Sequence, residues 1–365
     1  MSAGIWDREK AQRWALDNPW WVGCNFIPST ASNQLEMWQV DTFDPATIAR
    51  ELNWPSQIGM NCVRVFLHDL VWQADPEGFK SRIDRFLQIA ESAGIQTMLV
   101  LFDDCWFPPR AGIQPEPTPG VHNSRWAQSP GHDVVQDRSQ WPRLERYVRD
   151  IVETFGQDNR VCVWDLYNEP GNALLPAAAL PTHRALPRAI GAILRHFVLP
   201  SPTLPLLSAC LSWVRAVDPM QPLTVGIWAP IPALNRFQLG CSDIVSFHHY
   251  GGAESLEKKI TALQSRHQRP MLCTEWMARP LGSQVQSHLP VFHKTRVGCF
   301  CWGLVSGRTQ TIHGWRDRPG TPPPAVWHHD LLHPDGTPYD SAEIELMQQY
   351  TESTSHTDRA KSANA

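Results

Sequence analysis

Two glutamates stand where an apolar stretch gives out, and their surroundings follow one grammar. Glu169 comes just after Val161-Cys162-Val163-Trp164-Asp165-Leu166-Tyr167, a run whose β-branched and aromatic residues suit a buried parallel strand, and Pro170-Gly171 behind it marks a turn. Glu275 comes just after Pro270-Met271-Leu272-Cys273-Thr274, with Trp276 next. Either glutamate alone reads equally well as a surface residue in a turn. Two carboxyl groups at strand ends of one sheet are what glycoside hydrolysis needs. One acid protonates the leaving oxygen, and the other, ionised, attacks the anomeric carbon or activates water.

The elements that must position them are legible as period and punctuation. Strands are predicted over Trp20–Phe26, Asn61–Leu67, Ile95–Phe102, Val161–Tyr167, Pro222–Trp228, Asp243–Tyr250, Pro270–Trp276 and Val297–Leu304. Helices are predicted between them: from Pro45 with Asp44 as its cap, over Phe79–Ala93 with Gly94 as its stop, and over Gln140–Phe155, Leu206–Val217 and Glu257–His267. Others flank the strands at Asp7–Leu16 and Ser341–Tyr350. This alternation predicts an α/β fold, a single (β/α)8 barrel with long loops at the C-terminal face of its strands. A doubly wound sheet would not bring groups from strands two, four, six, seven and eight around one mouth. The barrel is expected over residues 1–350, with a polar, disordered tail over 351–365. Aperiodic Pro-rich segments at 107–131, 172–205 and 308–324 are expected to wall a cleft.

Arg64 interrupts an apolar strand, so it must find an anionic partner in the barrel mouth or reach solvent from the outer face. Alternation puts His248 and Tyr250 on one face of strand six and His249 on the other. In order along the chain, Arg64, Asn168-Glu169-Pro170, His248-His249-Tyr250, Glu275 and Trp302 resemble clan A of the retaining glycoside hydrolases, the family 5-like cellulase, mannanase and xylanase barrels. The resemblance implies Glu169 as acid/base and Glu275 as nucleophile. It also implies substrate binding by Arg64, Asn168, His248, Tyr250 and Trp302, with Asn168 on the sugar 2-hydroxyl. Strand three departs from the clan, ending in Asp103-Asp104 where a histidine is common. Asp103 is therefore expected to bind sugar hydroxyls or to orient Arg64.

Composition bounds the rest. The net charge of −4 over 365 residues argues against nucleic acid or an anionic membrane, and 17 tryptophans suit both barrel filling and stacking on sugar rings. Carbohydrate is thus the expected partner, with no nucleic acid and no membrane; oligomeric state is not legible. No cofactor is expected. Strand one lacks the His-x-His of metal-dependent barrels, His248 and His249 face apart, and Cys299 and Cys301 have no second ligand pair near them, so no metal is assigned. The odd count of nine cysteines, mostly in or beside strands, reads as buried thiols, and the first ten residues carry no signal peptide pattern. A reducing cytoplasm is the expected location. There the expected activity is hydrolysis of short β-linked oligosaccharides or glycosides, with release of terminal sugars. The alternatives are an endo-β-1,4-glycanase and a non-catalytic carbohydrate-binding barrel.

Overall fold

The computed structural model describes residues 4–172 and 201–362. Eight parallel strands run in the order β5-β4-β3-β2-β1-β8-β7-β6. They are β1 (Val22–Asn25), β2 (Cys62–Phe66), β3 (Gln96–Val100), β4 (Val161–Asp165), β5 (Leu223–Thr224), β6 (Val245–His248), β7 (Met271–Trp276) and β8 (Gly298–Trp302). A parallel bridge between Ile227 and Phe247 joins the two ends of that order, so the sheet closes on itself. This is the expected (β/α)8 barrel.

Regular pairing is shorter than the apolar runs predict, and β5 shows why. Just after Thr224 its main chain bonds to side chains: Val225 N–H donates to Ser242 Oγ at 3.1 Å, and Gln238 Nε2 donates to the Gly226 carbonyl at 2.6 Å. The ladder is interrupted for two residues and resumes at Ile227, whose N–H donates to the Ser246 carbonyl at 3.0 Å.

The longer helices form the outer layer: α1 (Arg8–Asp17), α2 (Pro45–Gln57), α3 (Pro76–Ser92), α4 (Trp141–Phe155), α5 (Leu204–Val217), α6 (Pro232–Cys241), α7 (Ala253–His267), α8 (Val285–Thr295) and α9 (Ser341–Ser362). In α3 the residues at three- and four-residue spacing, Phe79, Ile83, Phe86, Leu87 and Ala90, are all buried. The helix starts earlier than this stripe because Asp75 caps it, accepting from Gly78 N–H, with Pro76 at the first position. Gly94 stops it in the left-handed region at φ +73°. Asp44 caps α2 as expected, by accepting from Thr47 N–H. The helix α9 continues to Ser362, through residues whose polarity alone predicts a disordered tail. Most of the expected insertion over 172–205 lies outside the described residues.

Inside the barrel, Trp21, Cys62, Met98, Cys162, Val163, Ile244, Leu272 and Phe300 pack as a plug toward the strand N-termini. Above it the interior turns polar, with Arg64 following Cys62 and Asp165 following Val163 on the same strand faces. All nine cysteines are buried free thiols. Among the described residues no helix is long and apolar enough to cross a membrane.

Candidate active site

Arg64 is the hub beneath the mouth. It is fully buried, and all five of its N–H groups are engaged. Nε and Nη2 donate to Asp165 Oδ2 at 3.1 and 2.7 Å. Nη1 donates to Asn25 Oδ1 at 2.8 Å and Glu275 Oε1 at 3.1 Å, and Nη2 also donates to Asn168 Oδ1 at 2.7 Å. Burial works against the guanidinium charge, but Asp165 and then Glu275 outweigh it, and the Arg64 pKa lies above its usual value. The anionic partner that an arginine in an apolar strand demands is thus two carboxylates.

Glu275, at the end of β7, is 5 % exposed. Its Oε2 accepts from the Tyr250 hydroxyl at 2.8 Å and lies 3.4 Å from His248 Nδ1. Glu169 reaches the same histidine from the other side, with Oε1 at 2.7 Å from His248 Nδ1. Its Oε2 accepts from Cys105 Sγ at 3.3 Å and makes a close contact with Asn172 Nδ2. One atom each from Glu169, His248 and Glu275 falls within 4.8 Å of the others. These three groups are the ones that would share an ion. The Arg64 cation already bonds Glu275. His249 turns away, bonding Ser255 Oγ at 2.9 Å, as alternation requires.

Burial raises both carboxyl groups. Glu275 is pushed up to about 7, with His248 opposing, the Glu169 charge adding, and Arg64 and Tyr250 opposing again. Glu169 is raised by burial, against hydrogen bonds from Cys105 and Asn172 and the field of Arg64. The two titrate as a pair, and the donors on Glu275, a guanidinium and a phenol, make it the better holder of one shared negative charge. Burial also pulls His248 down to about 4 despite Glu275, so its ring is neutral at pH 7.

This costs stability in a way that can be measured. A carboxyl group with its folded pKa above the unfolded value contributes most below the unfolded pKa and loses that contribution as pH rises through the folded one. For Glu275 the window runs from about pH 4.5 to about 7. Glu275→Gln is therefore expected to raise stability at pH 8 by on the order of 2–3 kcal/mol, and to change it little at pH 4. Urea unfolding at the two pH values checks this, and a loss of stability at pH 8 contradicts it.

The strand-three end holds the Asn168-Glu169 turn from outside. Glu169 itself has φ +43°, a left-handed conformation that a non-glycine residue keeps only when its surroundings hold it. Asp104 supplies that hold, accepting from Tyr167 Oη, Gly171 N–H and Thr203 Oγ1, each at 2.6 Å. Asp103 lies on the Arg64 side of this turn. It is 1 % exposed and accepts from Cys105 N–H, Asn168 Nδ2, Gln34 Nε2 and Trp126 Nε1. Each of its oxygens accepts two of these bonds, and Asn168 links it to Arg64.

Trp302, 7 % exposed, packs edge-on against Phe66 and Trp126, with centroids 5.8 and 5.3 Å away. The loop after β3 and the loop after β8 are tied together over this side. Asn123 N–H donates to the Thr309 carbonyl, Gly120 N–H to Gln310 Oε1, and Gly320 N–H to the Pro119 carbonyl, each at 2.8 Å. Gly120 permits this at φ +78°; a Cβ there would lie 2.5 Å from the Thr321 carbonyl oxygen. The β8 loop lays Trp315 edge-on against Tyr250, with centroids 4.9 Å apart.

The sequence model of Cellulase (glycosyl hydrolase family 5) matches residues 30–294. The chain belongs to glycosyl hydrolase family 5. It is accordingly an enzyme that hydrolyses O-glycosyl bonds, with carbohydrate as its substrate. Among solved structures it resembles the endo-beta-1,4-mannanase from Thermotoga petrophila, at 14 % identity and a TM-score of 0.55, covering 93 % of this chain and 78 % of that one. It also resembles the exo-beta-1,4-mannosidase Op5Man5 from Opitutaceae bacterium strain TAV5, at 17 % identity and TM-score 0.58, over 92 % of this chain but only 60 % of that one. A third likeness is GH5_18 from Streptomyces cattleya in complex with GlcNAc, at 14 % identity and TM-score 0.54, over 93 % and 80 %. At these identities the likeness is one of fold. No curated protein sequence matches the chain.

For this family 5 enzyme, sequence reasoning misses Asn25, Asp165, Cys105, Asn172 and Trp315. Asp165 carries a signal: like Arg64 it is a charge within an apolar strand, and the two charges are opposite. Asn25 shows only as a polar residue closing strand one. Cys105, Asn172 and Trp315 lie in loops, where no periodicity points to a site.

Proposed function

We propose that this family 5 enzyme is a retaining β-glycosidase that works by double displacement, with Glu169 as acid/base and Glu275 as nucleophile. The observation that carries this reading is the spacing of the two carboxyl groups, whose oxygens come within 4.8 Å, where retaining enzymes hold them about 5 to 5.5 Å apart and inverting ones leave room for a water. Glu275, held by Arg64 and Tyr250, attacks the anomeric carbon while Glu169 gives its proton to the leaving oxygen. Forming the glycosyl ester removes the charge on Glu275, the Glu169 pKa falls, and Glu169 takes a proton from water in the second half. Asn168 spends one Nδ2 hydrogen on Asp103 Oδ1 at 2.9 Å and aims the other at Cys105 Sγ at 3.3 Å, a weak acceptor. A sugar 2-hydroxyl is the better partner for that second hydrogen. Trp302 offers an aromatic floor, and His248 orients Glu169.

The substrate class follows from the loops. With the β3 and β8 loops bonded together beside Tyr250 and Trp315, one end of the mouth is walled, which favours a pocket over a through-groove. We read the enzyme as removing terminal sugars from short β-linked oligosaccharides or glycosides, and its nine buried free thiols suit a reducing cytoplasm. Hydrolysis of aryl β-glycosides tests the activity, and viscosity of soluble β-glycans tests the mode. Monosaccharide is expected from di- and trisaccharides with little change in viscosity. A steep early viscosity drop with little reducing sugar overturns the terminal-sugar reading in favour of endo-glycanase action.

A further inference from the structure

In the barrel interior three polar side-chain atoms converge on the backbone of Gly226, where the absence of a Cβ lets them come close. A Cβ added to Gly226 would lie 3.3 Å from Ser246 Oγ and 3.5 Å from both His248 Nε2 and Thr274 Oγ1. His248 and Thr274 are 4 % and 0 % exposed, and neither of these two atoms has a hydrogen-bond partner among the described residues. A buried polar atom left unpaired costs about 1–3 kcal/mol, so two at one place call for a partner.

Counting hydrogens gives the polarity of that place. Thr224 Oγ1 donates its only hydrogen to the Ile244 carbonyl at 2.9 Å. In the Thr224–Ser246 hydroxyl contact at 2.7 Å the hydrogen must then come from Ser246. Ser246 Oγ is left with lone pairs alone toward Gly226, while Thr274 still has a hydrogen to give. We propose that one buried water lies between these three side chains, over the backbone of Gly226, accepting from Thr274 Oγ1 and donating to Ser246 Oγ and His248 Nε2, and that it holds the His248 proton on Nδ1, facing Glu169. Three bonds are the usual complement of a buried water. His248 Nδ1–H then donates to Glu169 Oε1, 2.7 Å away, which steadies the ionised form needed in the second half-reaction. Gly226, Ser246 and Thr274 are positioning residues acting through His248.

The other groups facing this histidine are Glu275, Arg64 and Asp165, together with Lys259, whose Nζ donates to the His248 carbonyl at 2.9 Å. Glu169 is further faced by Cys105, Asn172 and the field of Arg64, and Tyr250 stands nearby on Glu275. None of these is altered by substitutions at Gly226 or Thr274.

Long-range proton–nitrogen NMR of the imidazole rings at pH 7 is expected to place the His248 proton on Nδ1 in the wild-type protein. Gly226→Ala puts a methyl group 3.3–3.5 Å from the same three polar atoms and so crowds the water out, and Thr274→Val, of equal shape, removes the water's donor. Both are expected to lower the Nδ1–H population and to move the alkaline limb of the kcat/KM profile up by about 0.5–1 pH unit, since Glu169 loses a donor to its carboxylate. Thr274→Ser is expected to restore both. The kinetic arm rests on Glu169 being the acid/base, whereas the NMR arm does not, so failure of that assignment and failure of the water site give different results. A wild-type proton on Nε2 overturns the proposal, and so does a wild-type NMR spectrum in both Gly226→Ala and Thr274→Val.

Discussion

Glu275→Ala is expected to stop turnover of an aryl β-glycoside, and added azide to restore part of it with the opposite anomeric configuration in the product. The azide enters the space left by the carboxylate and attacks from the same face, and no second displacement follows. Glu169→Ala is expected to cost about 10²-fold to 10⁴-fold on a substrate with a poor leaving group, the usual worth of a positioned general acid. Its loss should be smaller where the leaving group departs without a proton. The contrast separates the two carboxyl groups: one variant is sensitive to the leaving group, the other to a replacement nucleophile. Should both alanine variants keep more than about a tenth of the wild-type rate, Glu169 is not the acid/base and Glu275 is not the nucleophile.

Arg64→Met is expected to be the most destabilising single change near the site. The methionine replaces much of the volume, but Asp165 and Glu275, 0 % and 5 % exposed, lose their shared cation. Breaking a buried ion pair from one side costs about 3–5 kcal/mol, because the remaining charge stays buried and unpaired. The sign of the pH dependence follows. Burial already raises both carboxyl groups, and without Arg64 they rise further, so the loss should be largest at high pH and shrink as acid neutralises them. Urea midpoints at pH 5 and pH 8 measure this; a penalty under about 1 kcal/mol at pH 8 contradicts the role of Arg64 as the hub.

These residues differ in how far the sequence announces them. Glu169 and Glu275 are visible because each is a glutamate at the end of an apolar strand and the two share one pattern. Alternation puts His248 and Tyr250 on one face, the resemblance to clan A implies their place in the site, and Arg64 follows from the cost of a charge within an apolar run. The same cost applies to Asp165, whose identity as the counter-charge becomes plain only once β2 and β4 are known to lie on either side of β3. Asp103 defeats sequence reasoning for another reason. Its four donors come from Gln34, Cys105, Trp126 and Asn168, and only Cys105 is near in the chain. Residues that meet from separate loops leave no period or spacing to read, so the donors around this aspartate are hidden in the chain. The wall formed by Trp315 on Tyr250 is hidden in the same way. The length of β5 is overestimated because Val225 and Gly226 follow the regular pairing with main-chain bonds to side chains.

Two closely spaced carboxyl groups performing two displacements at one carbon leave a direct record in the stereochemistry of the first product. Proton NMR of an aryl β-glycoside hydrolysis, recorded before mutarotation sets in, is predicted to show the β anomer forming first, whereas an α anomer appearing first would mean a single displacement by water and would contradict the assignment of Glu275 as nucleophile.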